Sequence, residues 1–203
     1  MPMPDPPPTG PHRTPTGSVA PGYFDRLYLD QADPWDYATS PYEAAKYAAT
    51  LAALPRVRYR RAVELGCSIG VLTRHLASRA DALLGVDVSD AALDQGRQRC
   101  AGLGHVTFER RTLPAETPGG PFDLAVLSEV GYYLSRPDLD ALADRLAAAV
   151  VPGGHLLLVH WTGPTDYPQT ADDVHARFLA DARWHRLDGH RVPDYRLDVV
   201  ARL

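Results

Sequence analysis

The chain has 203 residues, is 45% hydrophobic and carries a formal net charge of -4. That length suits one domain with a substantial core, and the mildly acidic balance argues against nucleic acid or an anionic membrane as partner. Two cysteines, Cys67 and Cys100, are too few for a disulfide framework and fall in no metal-spacing motif. Both are expected as reduced thiols of a cytoplasmic protein without a bound metal. The N-terminus lacks an apolar signal segment, and the longest apolar runs, such as 147–151 and 156–159, are far short of a membrane span.

Residues 1–22 hold 8 of the 19 prolines and almost no large apolar groups. Such a segment buries too little surface to offset its chain entropy, so a disordered tail is expected there, with a single domain over 23–203. Residues 23–59 are rich in aromatics, and their second half reads as a helix. Ser40 is placed to cap it, Pro41 suits its first turn, and Glu43 completes a capping box. Tyr42, Ala45, Ala49, Ala52 and Ala53 would form its apolar face. Asp33, Pro34 and Trp35 precede this helix, and the segment is expected to be a lid, with Trp35 folding over a bound cofactor.

A regular alternation follows. Strands are predicted at 62–65, 83–87, 106–109, 122–127 and 156–160, with helices at 71–78, 91–100 and 137–150, the last ending at the sequence PGG. Continuous apolar strands alternating with helices indicate a parallel sheet covered on both faces. A capped helix then opens at Thr170 and Asp173. Two final strands, 184–187 and 196–202, flank a turn-rich stretch and read as an antiparallel hairpin. The expected fold is α/β: a doubly wound, Rossmann-like, mostly parallel seven-stranded sheet with a C-terminal hairpin and an N-terminal helical lid.

In such folds ligands bind at the carboxyl ends of the strands, where the strand order reverses. Gly66 and Gly70 follow the first strand and open a helix, which lets the backbone turn tightly and approach a ligand. Asp87 ends the second strand, where a carboxylate can accept hydrogen bonds from ribose hydroxyls. The loop lacks the Lys-Ser/Thr of a phosphate loop, and Cys67 and Ser68 stand where a dinucleotide fingerprint needs glycine. Glu64 would repel a pyrophosphate at close range. It suits a nucleoside that carries positive charge, such as S-adenosylmethionine.

The stretches VELGCSIGVLTRHLA and VDVS, with PFDLAVLSEVGYYL and AVVPGGHLLLVH, resemble the class I S-adenosylmethionine-dependent methyltransferases. More narrowly, DPWDYATSPYE, ELGCSIG and SEVGYYL resemble the nodulation-type N-methyltransferases, which act on the free amine of a deacetylated aminosugar oligosaccharide. The resemblance implies that Glu64, Gly66, Cys67, Ser68 and Gly70 line the methionine part of the cofactor. It places Asp87 at the ribose, Val88 against the adenine, Thr112 and Leu113 at the adenine edge, and Ser128 and Glu129 beside the sulfonium. The loop 160–178 departs from the nodulation pattern, so another amine-bearing carbohydrate or glycoconjugate is also compatible.

An amine must shed a proton before it can attack, so a base is expected near the methyl group. Two candidates stand at strand ends: Glu129 after the fourth strand and His160 at the end of the fifth. Tyr132, Trp161 and Tyr167 gather in the same part of the chain and are candidates to stack on a sugar ring. The alternatives are methylation of another small molecule at oxygen or nitrogen, a dinucleotide-binding oxidoreductase, or a binding module without catalysis.

Overall fold

The computed structural model describes residues 12–203. Seven strands form one sheet in the order β3-β2-β1-β4-β5-β7-β6. They are β1 Tyr59–Leu65, β2 Ala80–Asp87, β3 Val106–Arg110, β4 Phe122–Ser128, β5 Val150–Trp161, β6 Trp184–Arg191 and β7 Tyr195–Arg202. β1 to β5 run parallel, while β7 lies antiparallel between β5 and β6. The helices are α1 Pro21–Asp30, α2 Pro41–Ala52, α3 Val71–Leu76, α4 Asp90–Arg99, α5 Arg136–Ala149 and α6 Ala171–Leu179.

The sheet is apolar on both faces because alternate residues of one strand serve two cores. In β4, Ala125 and Leu127 pack with α5 and α6 through Leu139, Leu142 and Phe178. Leu124 and Val126 face the other way, towards Tyr47, Leu72 and Leu76. Residues 124–127 of β4 are fully buried. The parallel register pairs Leu65 with Val86 and Leu127, and Ser128 with Val159. Glu64, Asp87 and Ser128 therefore reach the same edge of the sheet. The strand order reverses at β1, between β2 and β4, which opens a crevice there.

Several expectations need correction. Of the predicted tail, residues 1–11 lie outside the described residues, while 12–22 dock on the domain at Ser18 and Val19, with His12, Arg13, Pro15 and Thr16 exposed. Val19 is buried and its N–H donates to the Tyr133 carbonyl at 2.8 Å. The Ser18 hydroxyl donates to Asp138 and accepts the Ser135 N–H, so the segment docks on the start of α5. The helix α1 spans Pro21–Asp30, ahead of the stretch in which a helix was expected.

In α2, Ser40 accepts the Glu43 N–H, but Glu43 does not return the bond, so the capping box is only half formed. The buried face of this helix is Glu43, Lys46, Tyr47 and Thr50 rather than the predicted alanine stripe. Ala45 and Ala52 are exposed. Tyr42, Ala49 and Ala53 of the predicted stripe do pack against the core at its margin, so periodicity found part of the inward face and missed its polar centre. The helix α5 stops at Ala149 and passes directly into β5. The PGG sequence is an irregularity within that strand, because β4 advances from Phe122 to Leu124 while β5 advances from Val150 to His155.

Two glycines fix the loop after β1. A Cβ on Gly66 would lie 1.9 Å from Val130 Cγ2, and one on Gly70 would lie 2.7 Å from the Gly96 Cα. Gly70 also has φ +76°, so it is both left-handed and pressed against the backbone of α4. Replacing Gly70 with alanine is expected to cost about 2–5 kcal/mol, the sum of left-handed strain and overpacking. Urea unfolding of Gly70→Ala against wild type measures it.

Candidate functional site

The crevice is a cleft of about 990 Å³, counting its solvent-open mouth. One wall comes from the loops after β1 to β4. The opposite wall comes from α1, the loop before α2, and α2 itself. Of the residues singled out by sequence, Trp35, Glu64, Gly66, Cys67, Ser68, Asp87, Val88, Thr112, Leu113, Ser128 and Glu129 all line it.

Glu64 is fully buried and accepts one side-chain hydrogen bond, from the Thr73 hydroxyl. Burial, with the nearby Asp87 charge, pushes its carboxyl up to about 8. Asp87 accepts the Ser68 N–H at 2.8 Å and the Ser89 N–H at 3.0 Å. Its carboxyl is raised by burial, against these bonds, which oppose the shift. Ser68 holds φ +50°, and its hydroxyl pairs with that of Tyr28 from α1. Asp33 folds the loop before α2 by accepting the Tyr37 and Ala38 N–H groups at 2.9 and 2.8 Å. That turn sets Trp35 against Tyr28 and Tyr37, with ring centroids 5.7 and 5.5 Å apart.

Farther along the cleft, one ammonium joins two carboxylates. Lys46 Nζ lies 2.9 Å from Glu43 Oε1 and 2.7 Å from Glu129 Oε1, and the lysine is buried. The Tyr42 ring sits 5.0 Å from the same ammonium. Glu129 has φ +58°, an uncommon conformation for a residue with a Cβ. Its Oε2 accepts the Tyr132 hydroxyl at 2.6 Å and the Trp161 N–H at 2.9 Å. Both of its oxygens are therefore held. Glu43 is different. Its Oε2 is buried and has no hydrogen-bond partner among the described residues, and the residue lines the cleft.

Sequence reasoning missed Glu43 and Lys46, although a signal was present. Lys46 is the chain's single lysine beside twenty arginines. Tyr28, Tyr37 and Tyr47 also line the cleft unforeseen, and Tyr133 lines it with them.

Five of the expected residues lie elsewhere. Gly70 faces α4. His160 is fully buried behind the cleft, where Nε2 accepts the Gly131 N–H at 3.1 Å. Its Nδ1–H must then donate to His175 Nε2 at 3.1 Å, and His175 Nδ1–H to Asp198 Oδ2 at 2.7 Å. This ordered chain leaves His160 no lone pair for an acceptor proton. Tyr132 is buried against Glu129 and stacked on Tyr167 with centroids 5.3 Å apart. Tyr167 meets the edge of Tyr133, and Trp161 offers Glu129 its backbone while its ring covers Gly163. Neither these three aromatics nor His160 line the cleft.

This sheet order, with an acid-lined crevice at the β1 switch point, defines a nucleoside-binding domain of the class I S-adenosylmethionine-dependent methyltransferase type. Comparison with known proteins agrees. A family described as "Methyltransferase domain" matches residues 63–156. A solved Pseudomonas syringae chain described as a methyltransferase is 43% identical, covering 79% of this chain and 99% of its own, with a TM-score of 0.71. Nodulation protein S of Rhizobium tropici is 31% identical over 62% of this chain, which spans only 53% of that relative's length. The N-methyltransferase NodS of Bradyrhizobium japonicum WM9, solved with S-adenosylhomocysteine, shares the fold at a TM-score of 0.79 and 22% identity, over 87% of this chain and 95% of its own. The chain belongs to the class I methyltransferases, whose cofactor is S-adenosylmethionine. The cleft fits that group on its own chemistry. A buried carboxylate with a single side-chain donor suits an ammonium, Asp87 keeps lone pairs for hydroxyls, and Val88 with Leu113 offers apolar surface to a base.

The histidine chain has a measurable consequence. Burial lowers both His160 and His175, so both are neutral in the fold. Below about pH 6.5 the unfolded chain binds protons that the fold refuses, so this contribution is lost as pH falls from 6.5 towards the depressed folded values. Glu64, raised by burial, acts in the opposite sense, so the histidine effect is read as a difference. Between pH 6.5 and 5.5, wild type is expected to lose more stability to urea than His160→Gln, by up to about 1 kcal/mol. Equal losses would remove the histidines from the account.

Proposed function

We propose that the protein transfers a methyl group from S-adenosylmethionine to the free amine of a saccharide or glycoconjugate. The observation that supports this most is the charge of the cleft. Glu43, Glu64, Asp87 and Glu129 line it beside one arginine, Arg111, which pairs with Glu109, and the buried ammonium of Lys46 is already shared by two of the acids. Such a surface attracts cations and disfavours anionic acceptors such as phenolates and carboxylates.

S-adenosylmethionine supplies a methyl group on a sulfonium. The chain's own residues hold the partners and keep water out. Glu64 and Asp87 anchor the polar ends of the cofactor. Tyr28, Trp35 and Tyr37 form an aromatic cover, placed to dry the site as a lid would. Tyr37 and Tyr133 also give the acceptor apolar ring faces, which suit the C–H faces of a sugar. The nodulation-type resemblance of the segment from Asp33 to Glu43 points to the same acceptor class.

Radiolabelled methyl transfer is the direct test, run over free-amine oligosaccharides, their N-acetylated forms and simple phenols. Label is expected on the free amines alone. Label on phenols in preference to amines would replace this reading with O-methylation. Separately, Asp87→Ala is expected to weaken S-adenosylhomocysteine binding tenfold or more by calorimetry, since it removes charge-assisted hydrogen bonds. Unchanged affinity would sink the ribose assignment.

A further inference from the structure

We infer that Glu43, rather than Glu129, is the catalytic residue that takes the proton from the acceptor amine. This rests on the amine reading above and names the group that makes the amine reactive. The distinction lies in lone pairs. Glu129 Oε1 is held by Lys46, and Oε2 by the Tyr132 hydroxyl and the Trp161 N–H. Glu43 spends Oε1 on the same ammonium, its Oε2 is buried without a hydrogen-bond partner among the described residues, and the residue lines the cleft. A buried acceptor oxygen without a donor is costly unless a ligand supplies one, and an ammonium does so.

The groups facing Glu43 come from three elements. Lys46, Tyr42 and Tyr47 lie on α2, Tyr37 on the loop before it, and Glu129 after β4. Burial raises the Glu43 carboxyl, Lys46 opposes that, the Glu129 charge adds to it, and the nearby Tyr47 hydroxyl opposes it. Lys46 is itself pushed upward by the two carboxylates and stays charged, so it cannot be the base. Both carboxylates lie within 3 Å of one Nζ, which places the free Oε2 beside Glu129 at the end of β4.

The step balances. The acceptor ammonium passes one proton to Glu43, leaving a neutral amine. The amine's lone pair forms the new N–C bond while the C–S bond breaks with its electron pair on sulfur. The products are a methylated ammonium and a neutral thioether, and Glu43 then returns its proton to solvent. Glu129 acts as a positioning residue, a fixed anion that holds Lys46 against Glu43.

Two isosteric variants and a spectroscopic titration test this. In Glu43→Gln, kcat for a free-amine oligosaccharide is expected to fall at least about 10²-fold, and the acid limb of the kcat/KM profile to vanish. S-adenosylhomocysteine affinity should stay within about threefold, a range set by the residue's place away from the loops that anchor the cofactor. In Glu129→Gln the limb is expected to remain and move to lower pH, because a like charge beside Glu43 is lost. Carboxyl-carbon NMR of free enzyme labelled at glutamate should show a resonance titrating above the usual range that Glu43→Gln removes. A limb that survives Glu43→Gln and disappears in Glu129→Gln overturns the assignment, as does a spectrum in which Glu43→Gln removes no such titration. Wild type that methylates phenols but no amine would refute the amine reading and this assignment together. Amine methylation with unchanged kinetics in Glu43→Gln would refute this assignment alone.

Discussion

The Lys46 ammonium between Glu43 and Glu129 is the contact on which the cleft depends. It ties α2, which precedes the sheet in sequence, to the carboxyl end of β4 at its centre. Three buried charges would be expensive alone, and each is tolerable only because the others are in place. Glu129 must adopt a left-handed backbone to reach the ammonium, and the Tyr132 hydroxyl and Trp161 N–H hold it there. A guanidinium would not serve. Lysine offers a compact point charge that fits between two carboxylates and under the Tyr42 ring, whereas arginine needs a planar fork. That requirement gives a physical reason for one lysine in a chain otherwise furnished with arginine.

The same wall carries the aromatic cover. Asp33 bends the chain by capping two backbone N–H groups, and this brings Trp35 and Tyr37 beside Tyr28. Tyr28 in turn touches Ser68 in the glycine loop. The two walls of the cleft are therefore joined at two points, one aromatic and polar at the loop after β1, the other ionic at the end of β4. The ionic link leaves one carboxylate oxygen unsatisfied, on a residue that lines the cleft.

Much of the fold was legible because its signals are local and repetitive. Apolar runs in β1, β2, β4 and β5, glycine at the first turn, and an acid closing β2 each announce a doubly wound sheet. The cofactor wall was legible for the same reason, since Glu64, Asp87 and their loops sit at strand ends that sequence can count. The opposite wall was not. In α2 the eye follows alanine, and the buried face is Glu43, Lys46, Tyr47 and Thr50. Spacing cannot tell a buried ion pair from a solvated one. The docked stretch from 12 to 22 was equally hidden, because proline and small polar residues read as a tail whether or not α5 offers them a place to dock.

His160 shows where strand-end logic reaches its limit. A histidine closing a strand beside the site has the chemistry of a base, and only its neighbours decide whether it can act as one. Gly131 N–H occupies Nε2, which forces the proton onto Nδ1, and His175 and Asp198 fix the rest of the chain. Arg186 and Arg196 complete the neutralisation of Asp198 at 2.8 Å each. Every lone pair is committed, so this histidine shapes the turn that carries Glu129 rather than touching an acceptor. The same accounting applied to the two glutamates separates them. Residue type nominates a proton acceptor, and an uncommitted lone pair on a residue that lines the cleft selects it. Among the carboxylates Lys46 holds, that criterion is met by Glu43 Oε2.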